Sequence, residues 1–256
     1  MEVVAKKSAI VFVIVSAISG CATNVDAPNM LVVTGNISQA QMIPIGVPMP
    51  VRTIDVYDTA QKKRVEVDVL SLKPKDIRER LTSTETLVSI EKRDTSGSLS
   101  YLGAGGRVSK GSYRVTFDYA NYTNQNITYS GDDRSTAIGR IGVGLRITAD
   151  LETFENGVDL GGLLPIGFAA QNKKVNGRLS FLVYGMSNDK VALAVPSNSP
   201  ILDVTSIQQS FESAATVRVL FGLDDTKLEP YLIGVADIKP SDAKKALEAA
   251  TMKLTK

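Results

Sequence analysis

The sequence predicts an α+β fold, predominantly antiparallel β-sheet with two or three helices, and three patterns carry that expectation. From Arg140 to Leu151, Ile141, Val143, Leu145, Ile147, Ala149 and Leu151 alternate with Arg140, Gly142, Gly144, Arg146, Thr148 and Asp150. Such a period of 2 cannot be wound into a helix and marks a long antiparallel strand with one face in the core. Tyr113, Val115, Phe117 and Tyr119 share a second strand face, opposite Arg114, Thr116 and Asp118. Two segments instead follow a helical period. In the first, Ile207, Phe211, Ala214 and Ala215 fall on one side, with Ser206 and Gln209 spaced as a capping box. The second is a C-terminal amphipathic helix capped by Ser241-Asp242. It carries Ala246, Leu247, Ala250 and Leu254 on one side and Lys244, Lys245, Glu248 and Lys253 on the other.

In chain order, residues 22–50 read as a tether, polar at first and then extended around Pro44, Pro48 and Pro50, with Met30 to Thr34 an alternative first strand. Val65, Val67 and Val69 alternate with Glu66 and Asp68 as a half-buried strand. Pro74 opens a short helix that places Ile77 and Leu81 on one face, and Leu87 to Ile90 follows as a strand. Residues 120–139, with Asn121, Asn124, Asn126, Asp132, Asp133 and Arg134, read as a polar loop. Asn176-Gly177 suits a hairpin turn before a strand from Arg178 to Tyr184, and further strands are expected at Val191 to Val195 and Tyr231 to Val235. No internal repeat of fixed period is present.

The N-terminus has a separate character. Met1 to Lys7 ends in Lys6-Lys7, and Ser8 to Ile18 is apolar and uncharged. That run falls well short of the roughly 20 residues a helix needs to cross hydrocarbon, so it reads as a cleavable export signal. It ends in Ile18-Ser19-Gly20-Cys21, and Cys21 is the only cysteine of 256 residues. This tetrad resembles the lipobox of bacterial lipoprotein precursors: an aliphatic residue, two small residues and an obligatory cysteine. Ile18 stands where leucine is more usual. The resemblance covers residues 1 to 21 only. It implies cleavage between Gly20 and Cys21, a diacylglyceryl group on the Cys21 thiol, and a tether to the bilayer through lipid chains. Ala22, rather than aspartate, follows the cysteine, which in that class implies the outer membrane. The expected organisation is therefore a signal peptide over 1–20, a lipidated N-terminus and extended tether over 21–50, and a β-rich globular domain over 51–256.

Composition narrows the chemistry. The chain is 43% hydrophobic and 22% charged with a formal net charge of +2, an ordinary globular balance with no basic run for nucleic acid. With Cys21 lipidated, no thiol is left for a disulfide. Histidine is absent, which removes Ser-His-Asp and Cys-His nucleophiles and His-ligated zinc. There is no tryptophan for a Trp-lined sugar platform.

The remaining constellations are weak. The glycines from Gly103 to Gly111 lack the Gly-Lys-Ser/Thr ending of a phosphate loop and read as a hairpin connection. Those at Gly142 and Gly144 lie inside a strand and suit a close neighbouring backbone or a twist. Asp132-Asp133 lacks the alternating ligand spacing of a calcium loop, so no metal site is expected. Asp224, Asp225 and Glu229 form an acidic cluster at a turn, and Ser109-Lys110 are adjacent, a poor geometry for a dyad. Tyr113, Phe117 and Tyr119 read as a core face in preference to a ligand-facing stripe.

The leading functional expectation is a non-enzymatic, lipid-anchored component of an envelope complex or homo-oligomer, with no cofactor beyond the lipid on Cys21. A lipoprotein that binds a glycan or small molecule comes second, distinguished by a concave apolar pocket with a few convergent polar groups. A hydrolase using paired carboxylates comes third.

Overall fold

The computed structural model describes residues 42–58, 60–103, 106–129 and 135–236, all within the compact unit Asn36–Lys256. The described chain starts with β1 (Ile43–Pro50), the hairpin of β2 (Thr53–Asp58) and β3 (Lys63–Asp68), a 3-10 turn over Val69–Ser71 and α1 (Pro74–Arg78). Next come β4 (Ser83–Arg93), β5 (Leu99–Gly103), the short β6 (Arg107–Val108), and two 19-residue strands, β7 (Gly111–Tyr129) and β8 (Ser135–Thr153). The order continues with β9 (Val158–Asp159), α2 (Leu163–Gln171), β10 (Val175–Tyr184) and β11 (Met186–Ser187). A second 3-10 turn (Val191–Leu193), α3 (Val204–Gly222), β12 (Lys227–Leu228) and β13 (Tyr231–Ala236) complete it. The fold is α+β with a mostly antiparallel sheet.

The main sheet runs β1-β13-β8-β7-β4-β5, and β10 pairs with the part of β8 beyond β13. It curls into a half-barrel. The Tyr101 hydroxyl of β5 donates to the carbonyl of Met42, just before β1, at 3.1 Å, so the two terminal strands come within one hydrogen bond. The glycines of β8 permit the curl. A Cβ on Gly144 would lie 2.0 Å from the Tyr119 carbonyl oxygen, and one on Gly142 would lie 2.5 Å from that of Asn121. Only a residue without a side chain lets β7 approach so closely.

The outer face of the sheet carries the apolar core. Ile90, Val115, Phe117, Leu145, Ile147, Ala149 and Leu179 pack under Leu163 and Ile166 of α2 and Ile207, Val217 and Leu220 of α3. Full burial of each such side chain stabilises the fold by about 1.5–3 kcal/mol. Further along the same face, Ile141, Val143, Leu232 and Val235 pack with Ile54 of the β2–β3 hairpin and Ile77 and Leu81 of the α1 region. The Asp76 carboxylate accepts the Lys73 N–H at 3.2 Å, which fixes the start of α1 and aims Ile77 at this core.

The inner face is also closed along much of its length, contrary to the expectation of one buried face for β8. Arg146 and Asp118, 4% and 1% exposed, face each other across β7 and β8. The guanidinium donates through Nε and Nη2 to the two carboxylate oxygens, both at 2.7 Å. Its other N–H groups reach the carbonyls of Ile45, Gly46 and Ile233. Beside them Arg140 lies over the Tyr122 ring, 4.0 Å from its centroid, and Glu85 accepts from both Tyr122 and Arg140.

The structure corrects several further expectations. Of the loop expected over 120–139, residues 120–129 and 135–139 are strand, and 130–134 lie outside the described residues. Asn121, Asn124 and Asn126 occupy ladder positions opposite Val143, Arg140 and Ile138, and the apolar alternation of β8 sets that register. Asn176 and Gly177 are not a turn but pair with Glu152 and Leu151 inside β10. Residues Val191–Leu193 form a 3-10 turn, not a strand, because the Asn188 side chain and carbonyl accept from Lys190 and Val191. The cap of α3 is Asp203, whose carboxylate accepts the Ser206 N–H at 2.7 Å while Ser206 Oγ accepts the Asp203 N–H at 2.9 Å. The buried stripe of α3 runs through Ser206, Ile207, Ser210, Ser213, Val217 and Leu220, leaving Phe211 exposed. Residues 43–50, assigned to the extended tether on sequence, are extended but belong to the sheet through β13. The helix expected from Ser241 lies outside the described residues.

Replacing Gly144 by alanine should lower stability by about 2 kcal/mol or more, because its Cβ would meet fixed backbone. Gly222→Ala, at the end of α3 with open space around it, should be neutral or slightly stabilising. Thermal unfolding of the two variants checks the contrast; equal midpoints would contradict the role given to Gly144.

Candidate functional site

A cleft of about 410 Å³ opens between the C-terminal half of α3 and the outer face of the sheet. Two periodicities build it. On α3, Ala214, Val217 and Phe221 recur at helical spacing on the side that faces the sheet, and the exposed Arg218 borders the same cleft. On the sheet, strand register aligns Thr84, Asn121 and Val143 in one row across β4, β7 and β8, with Thr86 and Tyr119 in the next. Met186 of β11 closes one side. Glu85, Ala120 and Gly144 also line the cleft, but they alternate with these residues along their strands. The Glu85 carboxylate is accordingly on the inner face, with Tyr122 at 2.8 Å and Arg140 at 3.2 Å.

Val143, Val217, Phe221, Met186 and Ala214 give the cleft its apolar surface, and a few polar groups are set into it. The Asn121 amide donates to Thr84 Oγ1 at 3.0 Å. The Tyr119 hydroxyl makes no hydrogen bond among the described residues, and burial pushes its phenol up to about 12. It is therefore a neutral group able to donate a hydrogen bond throughout the physiological range. Arg218 is exposed and has no ion-pair partner among the described residues.

The structure divides the aromatic stripe read from Tyr113 to Tyr119. Tyr113 and Phe117 are core, while Tyr119, at the end of the stripe, borders the cleft. The acidic cluster does not gather into a site: Asp224 pairs with Arg78 at 2.6 Å on the surface. Ser109 Oγ lies 3.2 Å from the Tyr113 hydroxyl. Cys21, Gly20, Asp132 and Asp133 lie outside the described residues. Among the described residues no cluster of three or more acidic, histidine or cysteine side chains has the spacing of a metal site. No helix there is long and apolar enough to cross a membrane.

Sequence reasoning missed Thr84, Thr86 and Arg218, and placed Asn121 in a polar loop. A helical wheel of α3 does hold the signal for Arg218, a lone cation between Ala214 and Phe221 on an otherwise apolar strip. The strand residues carry no comparable mark, because their shared row exists only once β4, β7 and β8 are in register.

No protein-family model, curated protein or solved structure matches the chain.

Because the folded chain holds the Tyr119 proton more tightly than the unfolded chain, this group's contribution to stability is constant below the ordinary tyrosine range. It falls as pH rises toward 12. In a titration followed by the ring-carbon signal assigned through Tyr119→Phe, the phenol should still be protonated at about pH 10.5, where an exposed tyrosine is mostly ionised. Ionisation near pH 10 would contradict the burial of this ring.

Proposed function

We propose that the chain is a lipid-anchored envelope binding protein, held at the outer membrane through Cys21 and retaining a small ligand in the cleft under α3. The observation that carries this reading is the cleft itself. Its volume of about 410 Å³ falls within the range of small-molecule sites. Its apolar lining is interrupted by the few polar groups that orient a ligand, namely Tyr119, Asn121, Thr84 and Arg218. Binding is the role these groups suit: hydroxyls, an amide and a guanidinium line the cleft, while the Glu85 carboxylate bonds to Tyr122 and Arg140 on the inner face. The anchor rests on the lipobox-like Ile18-Ser19-Gly20-Cys21.

An assembly role is the second reading. It is favoured by Leu164 and Phe168, which stand one turn apart on α2 and are 56% and 62% exposed.

Two measurements on the full chain test the proposal. Palmitate labelling should be lost in Cys21→Ser. Amide signals followed during titration with a small-molecule envelope extract should move at 84–86, 119–121 and 214–221 and stay still elsewhere. Shifts confined to α2, or none at all, would overturn the binding reading.

A further inference from the structure

The polar groups of the cleft are unequal in kind, and the inequality specifies a class of ligand. Arg218 can only donate, and the neutral Tyr119 phenol has a proton with no acceptor among the described residues. Asn121 and Thr84 bond to each other. The one carboxylate among the lining residues, that of Glu85, turns to the inner face and is held by Arg140 and Tyr122. The cleft itself thus presents one positive charge, the donors of Arg218 and Tyr119, and an apolar surface.

We propose that the cleft selects amphiphiles with a single acidic head, a carboxylate or a phosphate. Arg218 pairs with the head at the mouth, and the apolar body lies on Val143, Val217 and Phe221. This rests on the binding reading above and names the ligand chemistry within it. A guanidinium suits both heads, because its planar fork bonds two oxygens of either at once. An uncharged head would forgo that pairing, and a cationic head would meet Arg218 with like charge.

The test is calorimetric titration of the full chain with octanoate, octyl phosphate, octanol and octylammonium. In the wild type the two acidic probes should bind at least about tenfold tighter than octanol, the step expected for one charge-assisted hydrogen-bonded pair, and octylammonium should be weakest. The order of octanoate and octyl phosphate identifies which acidic head the cleft prefers. Arg218→Gln should abolish the difference between the acidic probes and octanol. Because Arg218 is exposed, this substitution leaves the core packing of α3 intact, which helicity by circular dichroism checks.

Equal binding of octanoate and octanol to the wild type, or a preference that survives Arg218→Gln, would overturn the acidic-head assignment. Ala215→Trp, which fills the cleft from an exposed position on α3, separates that failure from the failure of the site. If every probe binds equally and Ala215→Trp abolishes all binding, the charge preference falls and the cleft remains the binding site. If no probe binds the wild type, both fall.

Discussion

The Arg146 guanidinium, buried on the inner face, is the interaction on which the curled sheet depends. Its donors are distributed over three elements: two to Asp118 on β7, two to Ile45 and Gly46 of β1, and a long contact to Ile233 of β13. The β1 strand needs that help. It contains Pro44, Pro48 and Pro50, which have no N–H, and its register with β13 shifts between Pro44 and Met49. In that interval the ladder leaves carbonyls without amide partners, and Arg146 supplies them. A buried ion pair of this kind is weak evidence for raw stability, but removing one partner leaves an uncompensated charge, which costs about 3–5 kcal/mol. Its contribution here is to specify how the sheet closes.

The same curl produces the cleft. Gly142 and Gly144 let β7 ride close against β8, and the inner face fills with Arg146, Asp118, Arg140 and Tyr122. The outer face then holds α3 at its N-terminal half. There buried Ser206, Ser210 and Ser213 allow close approach, and Gly167 of α2 lies against Ile207. Beyond that clamp the helix presents Ala214, Ala215 and Arg218, whose small or outward side chains leave the space under α3 open. The cleft is thus framed by packed core on one side, with its polar groups placed by strand register and helical spacing.

What was legible in the sequence follows from how local each signal is. The alternation from Arg140 to Leu151 and the pairing of Pro74 with Ile77 and Leu81 are written in consecutive residues, and the structure contains both elements. Residues 120–129 read as loop because asparagine and threonine dominate them. Their strand state comes from β8, whose partners they are, and a single segment cannot display that dependence. The expectation of one buried face for β8 erred for a related reason: arginine and glycine on the alternate face look solvent-facing until a carboxylate from β7 and carbonyls from β1 arrive to enclose them. The nine-residue α2, crossed by Gly167, carried too weak a helical pattern to stand out. Of the polar groups of the cleft, the sequence places Tyr119 in a stripe whose other named members, Tyr113 and Phe117, are core, and Asn121 in a loop that is strand.

Arg146 binds β1 into the sheet, and backbone hydrogen exchange in the Arg146→Met/Asp118→Leu double variant is the direct test of that role. Replacing both charges together avoids leaving one buried alone, so the core is retained. Amides within residues 43–50 should lose protection by about tenfold or more, while those at 115–119 and 145–149 keep theirs. Unchanged protection across 43–50 in a folded double variant would contradict that role.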